Sequence, residues 1–225
     1  DWLVTMRGGE YCLENLCKMF PNSDVYSLIA DNSVVSSTIA SKIKHCSFLN
    51  MLPGIKSIYR YCLPLYPLAV NNLSGKLAVE HKKKPYDLII SISHCAVKNI
   101  QVPDSVFHLC YCLTPARYFW DQYDSYFAGS KIEFLIKPII KKLRKWDIDG
   151  SKGVDYFVGI SEFIAARIKE YYHRKADVIY PPVSSELIIE PSTRQNNAPY
   201  LCVSALVPYK KVDLIVRACT QSKRQ

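Results

Sequence analysis

Short runs of apolar residues alternate along the chain with longer stretches in which apolar side chains recur every three or four positions. The short runs predict strands over residues 24–29, 86–93, 106–112, 154–160, 177–180 and 200–204. The longer ones predict helices over 10–19, 55–63, 132–146, 162–172 and 211–219. YDLIISIS and VDYFVGIS are nearly unbroken apolar strands, the pattern expected where helices cover both faces of a sheet. Strand and helix in regular alternation make a doubly wound, Rossmann-like parallel α/β fold.

Pro181-Pro182 ends the fifth strand, and the polar, breaker-rich EPSTRQNNAP follows. The expected division is an N-terminal domain over 1–182, a linker over 183–198 and the start of a second domain over 199–225. One βα unit cannot bury its own apolar faces, so the tail reads as the opening of a larger domain. Asp1-Trp2-Leu3 reads as the exit of a first strand, and the chain is expected to be cut at both ends.

Composition narrows the class. With 225 residues, 49% hydrophobic and 22% charged, the chain is globular rather than disordered. Its net charge of +9 raises the question of phosphate partners. Yet the basic residues are scattered, and the dense runs at His81–Lys84 and 137–145 lack interleaved aromatics, so no nucleic-acid partner is expected. A solvated basic face or a surface toward anionic lipid fits better. The nine cysteines are odd in number and show no C-x-x-C, which predicts reduced thiols packed as small hydrophobes in a reducing compartment. Cys110-x-Cys112 lacks the companion pair of a zinc site. No apolar run is long enough to span a bilayer; residues 52–70 read as an amphipathic helix that breaks near Pro64, lying on the sheet or against a membrane.

Ligands of open α/β sheets bind beyond the carboxyl ends of the strands, which directs attention to three loops. Gly8 and Gly9 open a helix, as either a tight turn or a place where free N–H groups meet an anion; the spacing is not G-x-G-x-x-G. His94 directly follows a strand, as a structural hydrogen-bonder or a functional group. Lys210 and Lys211 stand before the last helix, as solvated charges or a diphosphate cradle. Asp147-Ile148-Asp149 has the D-x-D form of some metal-binding transferases, but it follows a helix and is expected to be surface charge. Asn72-Leu73-Ser74 is a formal glycosylation acceptor with no role in a reducing compartment.

Five stretches, taken in order, resemble family 4 of the retaining glycosyltransferases, and bacterial mannosyltransferase-like members above all. DWL-x3-RGGE is similar to the family's first loop, and SHCAVK to its SSHAVAKG. CYCLTPARYFWD resembles CHTPMRYxWD. YFVGISEFIAARIKEYYHRKADVIYPPV resembles NSxFVAxRIxxYYGRxAxVIYPPV, and VSALVPYKKVDL resembles VSxLVPYKRVDL. The resemblance covers nearly the whole chain.

It implies a GT-B fold, with the acceptor on the N-terminal domain and the donor, a GDP- or UDP-linked hexose such as mannose, mainly on the second. It implies retaining, metal-independent transfer to a glycan or lipid-linked acceptor in polysaccharide biosynthesis, with no cofactor. Gly8 and Gly9 would approach the donor phosphates, His94 and Arg117 would line the cleft, and Lys210 would neutralise the diphosphate. The matched motifs add Glu10, Thr114, Tyr209 and Lys211 to the substrate- and donor-binding set. A cytoplasmic protein, peripheral at the inner membrane face, is the implied setting. The chain departs from the family at Leu113, where HTP has its histidine. An isobutyl group can neither hydrogen-bond nor exchange a proton, so no catalytic residue is assigned, and a non-catalytic relative acting as a binding or scaffold protein is the competing expectation. The family's acidic donor-binding motif would lie beyond Gln225, so this polypeptide is not expected to transfer sugar alone.

Overall fold

The computed structural model describes residues 1–124, 133–183, 199–204, 206 and 210–222. The chain divides into two compact units, Asp1–Pro182 and Val183–Gln225. Most of the expected linker, 184–198, lies outside the described residues, as does Tyr209.

The first unit is α/β with parallel strands throughout. β1 (Trp2–Leu3) pairs with β3 (Ile29–Ala30), and β2 (Val25–Ser27) with β4 (Ile43–Cys46). β2 and β3 are one extended run interrupted at Leu28, whose amide donates to the Asp1 carbonyl at 2.8 Å. A four-stranded sheet follows in the order β5 (Leu88–Ser93), β6 (Phe107–Cys112), β7 (Tyr156–Gly159), β8 (Asp177–Val178). Helices α1 (Gly8–Met19), α2 (Ser37–Ala40), α3 (Ile55–Ile58), α4 (Tyr66–Lys83), α5 (Glu133–Ser151) and α6 (Glu162–Tyr172) complete the unit.

Neighbouring residues of a strand face opposite ways, and β1 shows what that achieves. Trp2 packs into the core formed with Tyr66, Val70 and Leu73 of α4 and Ile140 and Leu143 of α5. Leu3 enters a separate cluster with Cys17 of α1 and Ile39 of α2. A third cluster sets Cys110, Cys112 and Phe157 against Ile164, Ile168 and Tyr172 of α6. Helices therefore cover both faces at β1, whereas in the four-stranded sheet Leu88, Phe107 and Tyr156 stay exposed, so the cover expected for YDLIISIS and VDYFVGIS is incomplete there. All nine cysteines are free, and five of them, Cys12, Cys17, Cys95, Cys110 and Cys112, are buried.

Several expectations need correction. Residues 52–70 do not form one helix: α3 gives way to 3-10 turns at Tyr59–Tyr61 and Leu63–Leu65. α4 then starts with Pro67 in its first turn, where a missing N–H costs nothing. The proline marks a helix start, and the polar face of α4 hides the helix from a periodicity reading. Asn72 is occupied inside it, its Oδ1 accepting from the Phe48 amide at 3.0 Å.

The D-x-D pair is also divided. Ile140, Leu143, Asp147 and Ser151 share the buried stripe of α5, so Asp147 faces inward while Asp149, two residues on, faces solvent with Lys145 and Lys152. Asp147 has no exposure and is no surface charge. Its Oδ1 pairs with Lys98 Nζ at 2.7 Å. Its Oδ2 accepts from Trp120 Nε1 and Tyr172 Oη, each at 2.8 Å. Lys98 also donates to the Asp147 carbonyl at 2.7 Å and to Asn99 Oδ1 at 2.6 Å, which satisfies the buried ammonium.

In the second unit, residues 200–204 do not form the expected strand; no ladder partner stands beside them among the described residues. α7 (Val212–Gln221) forms, with no buried residue of its own.

Removing one partner of a buried ion pair leaves an uncompensated charge. Lys98→Met is therefore expected to destabilise the first unit by about 3–5 kcal/mol in urea unfolding followed by tryptophan fluorescence. Adding Asp147→Asn, which removes that charge, should recover part of the loss; a Lys98→Met variant as stable as the parent would refute the pairing.

Candidate functional site

Three of the matched loops meet at the carboxyl ends of β1, β5 and β6. The first begins α1. Arg7 N–H donates to Glu10 Oε2 at 3.1 Å, so the Glu10 side chain folds back over the start of its own helix. Glu10 is buried there, its charge set against the positive end of the helix dipole. Gly8 is open: a Cβ added to it would meet nothing within 4 Å. Gly9 is not, because a Cβ there would lie 2.8 Å from Leu113 Cδ1. The glycine pair thus combines an accessible backbone with a close approach to the β6 loop.

The second loop follows β5. His94 Nδ1 lies 2.9 Å from Asp1 Oδ2, and the ring stands edge-on to Trp2 at 4.4 Å between centroids. Burial moves the His94 pKa below its ordinary value; Arg117 acts in the same direction and Glu10 against it. The residue belongs to the same electrostatic neighbourhood as both. Burial of the ring thus disfavours its charged form.

The third loop follows β6. Leu113 N–H continues the ladder to the Ser93 carbonyl at 2.8 Å, which seats the turn firmly on the sheet. Thr114 Oγ1 donates to the Pro115 carbonyl at 2.9 Å and accepts from Arg167 Nη1 at 3.0 Å. Arg167 pairs as well with Asp121. Thr114 is therefore committed to holding the turn against α6, and Arg167 is a structural partner of the loop that sequence reasoning passes over. The Trp120 and Tyr171 rings stack at 4.7 Å, closing the base of the same corner. Arg117 is half-buried, and its carbonyl accepts from the Gln122 amide at 3.0 Å.

Gly8, Gly9, Glu10, His94, Leu113, Thr114 and Arg117 thus lie in the first unit, while Lys210 and Lys211 lie in the second. Lys211 is the N-cap residue of α7, in the left-handed region at φ 50°, and it caps with no side-chain hydrogen bond. Both lysines are exposed. A groove of about 700 Å³ lined by Leu109, Tyr156, Val158, Glu162, Asp177 and Ile179 contains none of the candidate residues. Among the described residues, no group of three or more His, Cys, Asp or Glu side chains is placed to hold a metal ion. Asp1 is the site residue that sequence reasoning misses. Asp1 precedes β1, and its partners lie on the loop after β5.

Comparison with family models, with curated proteins and with solved structures finds no match for this chain.

The Gly9–Leu113 contact can be measured. Because a side-chain end is the atom in the way, Gly9→Ala is expected to shift Leu113 rather than the backbone. A double-mutant cycle with Leu113→Ala should return a coupling of about 0.5 kcal/mol or more in denaturant unfolding. Strict additivity would mean that the two loops do not touch.

Proposed function

We propose that the chain belongs to a retaining glycosyltransferase of the GT-B type, in which the first unit serves the acceptor side and the second begins the nucleotide-sugar side. The reaction would move a hexose, such as mannose, from a GDP- or UDP-linked donor to a glycan or lipid-linked acceptor. The observation that carries this reading is the meeting of three separate loops, at Gly8–Gly9, His94 and Leu113–Arg117, beyond the carboxyl ends of parallel strands. Helix α1 begins at Gly8, whose open backbone gives an oxyanion access to the helix N-terminus, and in the second unit Lys210 and Lys211 precede the first turn of α7. Fixed donors or cations of this kind can each stabilise a departing diphosphate without a metal.

One observation favours a second reading, a non-catalytic relative that binds glycan or acts as a scaffold. Leu113, at the position where the resembling family carries histidine, packs against Gly9 and brings an aliphatic group to the place where a donor's phosphates would approach. The full-length protein, incubated with GDP- and UDP-sugars and assayed for sugar hydrolysis or transfer, is expected to turn over at least one donor. Silence on every donor, with activity appearing only in Leu113→His, would establish the second reading instead.

A peripheral membrane contact fits the same proposal. Met51, Ile58, Tyr61 and Leu68 are exposed, Met51 at 83% and Tyr61 at 84%, and Lys56 and Arg60 lie among them. Among the described residues no helix is long and apolar enough to cross a membrane, so the contact would be a surface one. The protein is expected to float with vesicles containing anionic lipid, less so as salt rises, and Met51→Ser/Tyr61→Ser/Leu68→Ser should abolish flotation. Equal recovery with and without vesicles would remove the membrane from the proposal.

A further inference from the structure

The loop after β5 turns four consecutive amides, those of His94, Cys95, Ala96 and Val97, onto the Asp1 carboxylate at 2.7 to 2.9 Å. Successive N–H groups of this kind form an anion-binding concavity. Here the chain's own carboxylate fills it, so the loop is not free to cradle a donor phosphate. The Asp1 side chain is fully buried, and the Oδ2 that accepts from the His94 and Cys95 amides also faces His94 Nδ1 at 2.9 Å. An ionised carboxylate only accepts, so Nδ1 carries a proton, and in the uncharged ring the lone pair lies on Nε2. Trp2, edge-on to the ring at 75°, fixes its plane. Nε2 has no partner among the described residues and is not among the buried unsatisfied atoms, while the side chain as a whole is 24% exposed.

Capping the loop would need only the four amide bonds; the fifth contact, to the ring, sets the histidine's chemistry. We propose that Asp1 is a positioning residue that holds His94 as the Nδ1–H tautomer and so presents Nε2 as a hydrogen-bond acceptor to a carbohydrate hydroxyl. The hydroxyl rests on the glycosyltransferase reading; the tautomer does not. The role of Asp1 is orientation, since its carboxylate is sealed from any substrate by the amides around it.

The test reads the ring directly. Long-range ¹H–¹⁵N correlation spectra of the ¹⁵N-labelled full-length protein at neutral pH should show His94 protonated at Nδ1 and bare at Nε2. In Asp1→Asn a carboxamide can donate to Nδ1, and the spectrum should change to the Nε2–H form or to a mixture of tautomers. Sugar transfer should fall about 10²-fold or more, beyond any loss of folded protein measured by circular dichroism. Whether His94→Gln raises KM for donor or for acceptor identifies which sugar carries the hydroxyl. An Nε2–H tautomer in the parent protein overturns the proposal even if Asp1→Asn fails to fold, as does an unchanged tautomer in a folded Asp1→Asn. If the parent transfers no sugar yet His94 behaves as stated, the positioning role stands and the glycosyltransferase reading falls.

Discussion

The segment after β5 must satisfy its backbone and a lysine without water, and two fully buried carboxylates do this from opposite ends. Asp1 takes the amides of residues 94–97, and Asp147 takes the Lys98 ammonium. Each charge alone would cost several kcal/mol to bury, so each is tolerable only because it is paired, Asp1 with four amides and Asp147 with Lys98, Trp120 and Tyr172. The arrangement joins elements far apart in sequence: β1 to the β5 loop through Asp1, and α5, α6 and the 115–124 turn through Asp147, Tyr172 and Trp120. Close packing accompanies it. A Cβ on Gly150 would lie 2.0 Å from Asn99 Oδ1, so α5 and the segment approach at a distance only glycine permits.

Rigid support of this kind is what a candidate site on loops requires. His94 is held by its neighbours before any ligand arrives, and Thr114 is clamped by Arg167 and so sets where Leu113 and Arg117 emerge. The groups left accessible include the Gly8 backbone, His94 Nε2 and the Leu113 side chain. They differ in kind, as a backbone donor, an acceptor and an apolar wall. A polar ligand with an anionic part on one side suits such a set better than a hydrophobic one would.

Much of this was legible in the residues. β5, β6, β7 and α6 follow their hydrophobic periods closely, and α6 begins and ends where its pattern does, because Ser161 caps it and His173 leaves it in the left-handed conformation. Residues 52–70 were not legible, since Pro53, Pro64 and Pro67 permit both breaking and starting a helix, and only packing against Trp2 and Leu49 decides. Asp147 was misread for a related reason: local spacing identifies a D-x-D pair, but the helical phase set by Ile140 and Leu143 sends one acid inward. Asp1 could not be read at all. Its partners lie more than ninety positions away, and no local pattern announces a contact of that range.

Leu113 and His94 are best understood together. At the corner where the resembling family places a histidine, this chain has an aliphatic side chain against Gly9. The imidazole at that corner is instead His94, on the adjacent strand, since β5 and β6 end side by side at Ser93 and Cys112. A neutral ring with a fixed tautomer can accept from a hydroxyl but gives up no proton through Nε2. If the site acts on sugars, the Asp1–His94 pair would therefore orient a hydroxyl rather than supply an acid. Stabilisation of an anion by fixed dipoles needs no proton donor, so a leucine at position 113 is physically compatible with such chemistry.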